Sequence, residues 1–264
     1  MLELDDKGWA ISQKVVLFGG GCGASPSGEA CDGRTVKIID YQASNPQWVR
    51  QDNLIQEAGQ NNVVPLPTGK VPIFGGAVGR PECGQSGWSN RFHHQIFHPG
   101  DGSITPLVET TVPRHDHATG FLLPDATVIA MGGKRTDLAN DPCHPGLDIG
   151  VPVAQVYKPP YFFSADQTVI EWAPREISYR GRFVVKVSGR SGKIGSVAVI
   201  RQDPQTHNWG WGNRYVKLWH REVDAGRLII QAPAVLGLAV PGYYMLFAGG
   251  EEGVPSVATL VRLR

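Results

Sequence analysis

The 264-residue chain has little net charge, few charged residues and no long apolar run. Lys plus Arg number 25 against 24 Asp plus Glu, for a formal net charge of +1, and no polybasic segment disturbs the balance. This excludes the electrostatic footprint of a nucleic-acid binder or of a protein that docks on anionic lipid. The longest apolar stretch, Ala232 to Phe247, contains Pro233, Gly237, Pro241 and Gly242. It is too short and too broken to span a bilayer, so no membrane association is expected. The opening residues, Met1-Leu2-Glu3-Leu4-Asp5-Asp6, are acidic and do not form a signal peptide. Nucleotide and hydrolase motifs are missing. No Gly-x-Gly-x-x-Gly or P-loop opens a helix, and there is no Gly-x-Ser-x-Gly and no His-Glu-x-x-His. No nucleotide cofactor is expected. The four cysteines include no Cys-x-x-Cys pair, which disfavours a cysteine metal cluster.

Glycine and proline are abundant, at 33 and 20 residues. Both are costly inside helices, so a helical bundle or coiled coil is excluded. Apolar residues at 41% suffice for a core. Many short strands punctuated by turns, and no helix of consequence, are the natural outcome.

The first 160 residues repeat one pattern. Val15-Val16-Leu17-Phe18-Gly19-Gly20, Val71-Pro72-Ile73-Phe74-Gly75-Gly76 and Val128-Ile129-Ala130-Met131-Gly132-Gly133 each end an apolar strand on a glycine pair. Near-copies of one turn, Leu66-Pro67-Thr68-Gly69-Lys70 and Leu123-Pro124-Asp125-Ala126-Thr127, precede the last two. A polar loop and a second strand follow each pair, at Val36–Ile39, His94–Phe97 and Ala154–Tyr157. This order resembles the kelch repeat, one blade of a β-propeller. A glycine pair lets the strand end turn sharply and lets neighbouring blades approach. The pattern predicts about three blades over residues 1–160. Three blades do not close a ring of ~4–8, so the missing blades must come from upstream sequence or another chain. An open sheet edge near residues 1–20 predicts that the isolated chain associates.

After Pro159-Pro160 the pattern changes. Strands are expected at Phe183–Val187, Ser196–Ile200, Arg227–Ile230, Tyr243–Phe247 and Ala258–Val261, separated by glycine and proline turns. They predict an immunoglobulin-like sandwich over residues 161–264. The expected fold is therefore all-β, a partial kelch-type propeller followed by an immunoglobulin-like sandwich.

Several strings carry a family resemblance. They are Val199-Ile200-Arg201 leading to Thr206-His207, Val240-Pro241-Gly242-Tyr243-Tyr244-Met245-Leu246-Phe247, and Gly253-Val254-Pro255-Ser256-Val257-Ala258. Together with Leu122-Leu123-Pro124-Asp125 and Gln155-Val156-Tyr157-Lys158-Pro159-Pro160-Tyr161, they resemble the final blades and the early-set (E-set) domain of the galactose oxidase and glyoxal oxidase family. The resemblance implies a copper radical oxidase, which oxidises a primary alcohol or aldehyde, such as a sugar or glyoxal, with O2 to give H2O2. It also implies an extracellular or periplasmic location. Copper in that family is held by two histidines, an axial tyrosine and a tyrosine cross-linked to cysteine. His117 and His207 match the two histidines. Asp116 stands where the axial tyrosine is expected, so the catalytic residue at that position is not identified. No residue of this chain matches the cross-linked Tyr-Cys pair.

Other assignments stay open beside this. His115 lies two residues before His117 and would share its side of a strand, so His115, His117 and His207 could form a three-histidine zinc or copper site. Trp209 and Trp211 either stack on a sugar face or pin the loop after His207. Arg201 and Arg214 could orient a polar substrate but suit a cross-strand role better. His93, His94 and His98 are expected in solvent, and His144 and His220 in structural roles. Cys22, Cys31, Cys83 and Cys143 all follow glycine-pair strands, and Cys22 with Cys31 spans a reasonable disulfide loop. The contrasting function is a non-catalytic extracellular carbohydrate-binding or structural module with a degenerate metal site.

Overall fold

A computed structural model describes residues 1–19, 33–51, 54–55, 59, 61–79, 88–90, 92–114, 117–136, 148–164, 167–189, 193–202, 205–206, 209–210, 212–250 and 253–264. Their regular structure is all strand, apart from one 3-10 turn at Pro160–Phe163. That turn falls where the sequence pattern changes, and Tyr161 in it donates to the carbonyl of Ala126 at 2.5 Å.

The glycine-pair strands form as the repeat predicts. Ala10–Phe18 pairs antiparallel with Val36–Asp40, Val71–Phe74 with Gln95–Phe97, and Val128–Gly132 with Gln155–Tyr157. Gly75 and Gly76 have φ of 61° and 103°, and Gly132 and Gly133 have 63° and 86°. These left-handed values cost an L side chain about 1–2 kcal/mol each, which explains the glycines. Gly19 does the same at 65°, and its neighbour Gly20 lies outside the described residues. The two matched turns also share one geometry. Gly69 donates to Leu66 and Ala126 to Leu123, each at 2.9 Å and each with positive φ.

The C-terminal part is a two-sheet sandwich. One sheet contains Glu176–Ile177, Thr259–Leu263, Gly242–Gly250, Ile194–Arg201 and Arg214–Lys217 in that order. The other contains Val169–Trp172, Arg182–Ser188, Arg227–Gln231 and His220–Asp224. Between them Val185, Val187, Val197, Val199, Leu228, Ile230, Tyr244, Leu246 and Val261 form the sandwich core. The opposite side chains of the same strands, Ala198, Ile200, Tyr215 and Phe247, are buried in a second core. Their partners there are Val64, Leu66, Phe74, Leu122 and Val128 of the repeat region. The strand Ile194–Arg201 is thus covered on both faces, which is why it reads as the continuous run Val197-Ala198-Val199-Ile200 rather than an alternation.

The N-terminus corrects the expected open edge. Leu2–Leu4 pairs in parallel with Arg214–Lys217 and antiparallel with the start of Ala10–Phe18. One nine-stranded sheet therefore runs from the sandwich into the first repeat. Leu2 and Leu4 are buried in the sandwich core, so the free-energy gain from apolar burial places this segment inside the sheet. The alternating residues Val15 and Leu17 farther along the second strand are exposed.

Candidate functional site

Two short elements carry the candidate ligands. His117 immediately precedes the strand Ala118–Leu122, which pairs with Val128–Gly132 so that Ala118 faces Gly132. The His117 residue is exposed and has φ of 62°, a left-handed conformation unusual outside glycine. His117 is thus a turn residue ahead of the strand rather than part of it. The expectation that His115 and His117 share one strand face therefore lacks its premise at residue 117. His115 and Asp116 themselves lie outside the described residues.

The second element is a hairpin in which Gln205–Thr206 pairs with Trp209–Gly210, Thr206 facing Trp209. His207 and Trp211 lie outside the described residues, as does the side chain of Trp209. The hairpin lies against the strand Ala118–Leu122. Gln202 reinforces the approach, its Oε1 accepting from the Leu122 N–H at 2.8 Å. Two elements from different halves of the chain, one beginning just after His117 and the other on either side of His207 in sequence, are thus neighbours. Imidazole nitrogen suits copper, and an exposed ring at a strand end leaves room for further ligands. Among the described residues no three His, Cys, Asp or Glu side chains come together, and of the candidate ligands His117 alone is described.

Arg114, which sequence reasoning missed, anchors the His117 segment. It is 3% exposed. Nη1 donates to the Gly132 carbonyl at 2.8 Å, and Nη2 to the Val153 carbonyl at 2.5 Å. Its own carbonyl accepts from Gly76 N–H at 2.7 Å. A Cβ on Gly75 would come within 2.3 Å of that carbonyl, so the glycine pair of the second repeat is shaped to receive this residue. An arginine next to a proline carries no motif, which is why nothing in the sequence singled it out.

The other histidines divide differently from expectation. His93 is exposed and forms an ion pair with Glu109 at 2.8 Å, and half-buried His98 meets Thr105 Oγ1 at 2.8 Å. His94 is not in solvent. It is half-buried, edge-on to Phe74 with ring centroids 5.0 Å apart. Burial, and secondarily the charge of Arg114, lowers its pKa from 6.5 to about 4. The position just before the buried strand Gln95–Phe97 draws the ring inward. His220 is structural as expected, its Nε2 lying 3.2 Å from the Ile194 carbonyl. Arg201 and Arg214 face each other across two strands and donate to carbonyls of the 237–241 loop, the cross-strand role preferred above. His144 and all four cysteines lie outside the described residues.

The His94 shift predicts acid sensitivity. The folded state resists protonation, so its stability is full above about pH 6.5 and is lost as pH falls towards about 4. The loss is on the order of 3 kcal/mol. Thermal melts of His94→Gln should decline less steeply over that window than those of the parent. Equal slopes would remove His94 as the cause.

Comparison with known proteins follows the same division. The family model described as "Galactose oxidase-like, Early set domain" matches residues 167–263. An aldehyde oxidase, GLOX, from Vitis pseudoreticulata is 31% identical over 233 residues, covering 83% of this chain and 43% of that protein. A galactose oxidase from Gibberella zeae is 27% identical over 264 residues, covering 96% of this chain and 36% of that protein. A fungal alcohol oxidase solved in complex with copper superposes with a TM-score of 0.72 at 28% identity, covering 87% of this chain and 48% of that one. The chain spans roughly two fifths of the length of these curated relatives.

Proposed function

We infer that this chain, which belongs to the galactose oxidase-like family through its early-set domain at residues 167–263, carries the two-histidine part of a copper oxidase site. The proposed reaction takes a primary alcohol to an aldehyde, or a hydrated aldehyde to an acid, while O2 accepts two electrons and two protons to become H2O2. The observation that carries this reading is the apposition of the strand that begins after His117 with the hairpin that brackets His207. The three glycine-pair sheets are read as propeller blades, with these two elements at their mouth. An extracellular or periplasmic location accompanies the reading. Among the described residues, no helix is long and apolar enough to cross a membrane.

His117 and His207 would hold the metal through neutral imidazole nitrogens. His115 would add a third donor in the alternative three-histidine arrangement. Bound copper would supply a Lewis-acidic, redox-active centre for the substrate oxygen. Asp116 offers a carboxylate where the family has a phenol. Its ordinary pKa is about six units below that of tyrosine, so at neutral pH it is a far weaker resting place for the substrate hydroxyl proton. With no match to the cross-linked Tyr-Cys pair, the second oxidising equivalent must come from residues outside this set. Trp209 and Trp211 are assigned to the sugar or alcohol side of the site.

Metal analysis tests the reading. At equilibrium with copper in excess of about 40 μM, roughly one copper per chain is expected, since two imidazole donors at ~3 kcal/mol each give a dissociation constant of that order. Copper no higher than in a histidine-poor control would overturn it. That result would favour the second reading, a non-catalytic carbohydrate-binding module, for which the loss of the axial phenol at Asp116 is the specific argument.

A further inference from the structure

We propose that Arg114 is the positioning residue that presents His117 to the metal, an inference that rests on the copper-site reading above. Three residues before His117, the Arg114 guanidinium reaches the Gly132 carbonyl at 2.8 Å. One residue after His117, Ala118 is the strand partner of the same Gly132. Arg114 and Ala118, which flank His117 in sequence, therefore both meet Gly132 of the neighbouring strand. A Cβ at Gly132 would be in ordinary contact with the His117 carbonyl, at 3.5 Å, so its φ of 63° rather than crowding accounts for the glycine. The Arg114 carbonyl is held separately by the Gly76 N–H at 2.7 Å, so the second and third glycine pairs both contact the segment.

The charge of Arg114 has another use than ion pairing. Among the described residues its guanidinium donates to the carbonyls of Gly132 and Val153 and to Gln155 Oε1 at 3.4 Å, with no carboxylate in the set. A buried cation bonded to main-chain carbonyls gives geometry in place of charge neutralisation. The planar fork reaches two carbonyls at once, which a lysine ammonium on a flexible stem cannot reproduce. The clamp keeps His117 in its left-handed conformation, which an unconstrained histidine would leave at a gain of about 1–2 kcal/mol. A ligand held this way loses little freedom on binding metal, so affinity depends on a residue that does not touch the metal.

Copper(II) titration of the 264-residue chain and its Arg114→Lys, Arg114→Met and His117→Ala variants tests the proposal, with far-UV circular dichroism and the copper EPR spectrum read on each. Both Arg114 variants should fold, bind copper about 10–100-fold more weakly, and show a shifted copper spectrum. A purely structural role would lower the melting temperature and leave affinity and spectrum of the folded protein at parent values, which overturns the proposal. If Arg114→Met does not fold, Arg114→Lys decides by the same criteria. If His117→Ala binds copper as the parent does, the copper reading falls and this proposal with it. Loss in His117→Ala with parent-like Arg114 variants removes the proposal alone.

Discussion

Phe247→Ala is expected to cost about 4 kcal/mol of stability, within the ~3–5 kcal/mol seen when a buried phenylalanine is truncated. Phe247 is 1% exposed and lies among Val64, Leu66, Phe74, Leu122, Val128 and Ile200, where the sandwich sheet meets the second and third repeats. The core there is drawn from two parts of the chain, so a cavity cannot collapse without moving one part against the other. Truncation removes dispersion contacts on both sides and weakens the joint between them. The melt of the variant should therefore broaden or split, with the sandwich, whose own core is separate, unfolding last. Tyr243→Ala on the same strand is the control. Tyr243 is 68% exposed, and its replacement should shift stability by no more than ~0.5 kcal/mol. Denaturant unfolding of the two variants measures the contrast. A Phe247→Ala loss below ~1 kcal/mol would mean that the second core does not hold the two parts together.

The second large effect concerns the metal. The double variant His117→Ala/His207→Ala should lose copper affinity by roughly four orders of magnitude. Four-ligand protein sites bind divalent metal with apparent free energies of about 10–16 kcal/mol, or ~3 kcal/mol per ligand. Each imidazole is then worth ~100-fold, and two removed together ~10,000-fold. Each single variant should lose about half of this free energy, because the two ligands come from different elements and either can fall away without unfolding the other. Competition against a chelator of known affinity gives the numbers. Single variants that each match the double would show that one histidine alone is inert. His115→Ala separates the alternatives, as a further large loss there would favour the three-histidine arrangement.

Much of the fold was legible because its signals are local. The glycine pairs mark left-handed strand ends at Gly75-Gly76 and Gly132-Gly133, and the matched turns at Gly69 and Ala126 share one hydrogen-bond pattern. The strands Arg182–Ser188, Ile194–Arg201, Arg227–Gln231, Gly242–Gly250 and Thr259–Leu263 lie where apolar runs and turn residues indicated. Val169–Trp172 and His220–Asp224 were not foreseen. They border the second sheet, their exposed and half-buried residues alternate weakly, and no apolar run announces them. The candidate site was named only where family strings reached it, at His117 and His207, and His207 lies outside the described residues. Arg114, the inward turn of His94 and the insertion of Leu2–Leu4 beside Arg214–Lys217 were not legible.

The difference is one of range. Backbone preference and apolar periodicity act over a few residues, so the residue order alone determines that the chain is built of strands, where its glycine-marked ends fall, and that its C-terminal strands form a sandwich. Which faces meet, and which side chain lies beneath which, depends on contacts between residues far apart in the chain. Only the packed tertiary structure decides that a leucine at position 2 completes a core two hundred residues away. It alone decides that the buried guanidinium of Arg114 meets carbonyls of two other segments, those of Gly132 and Val153, three residues before His117.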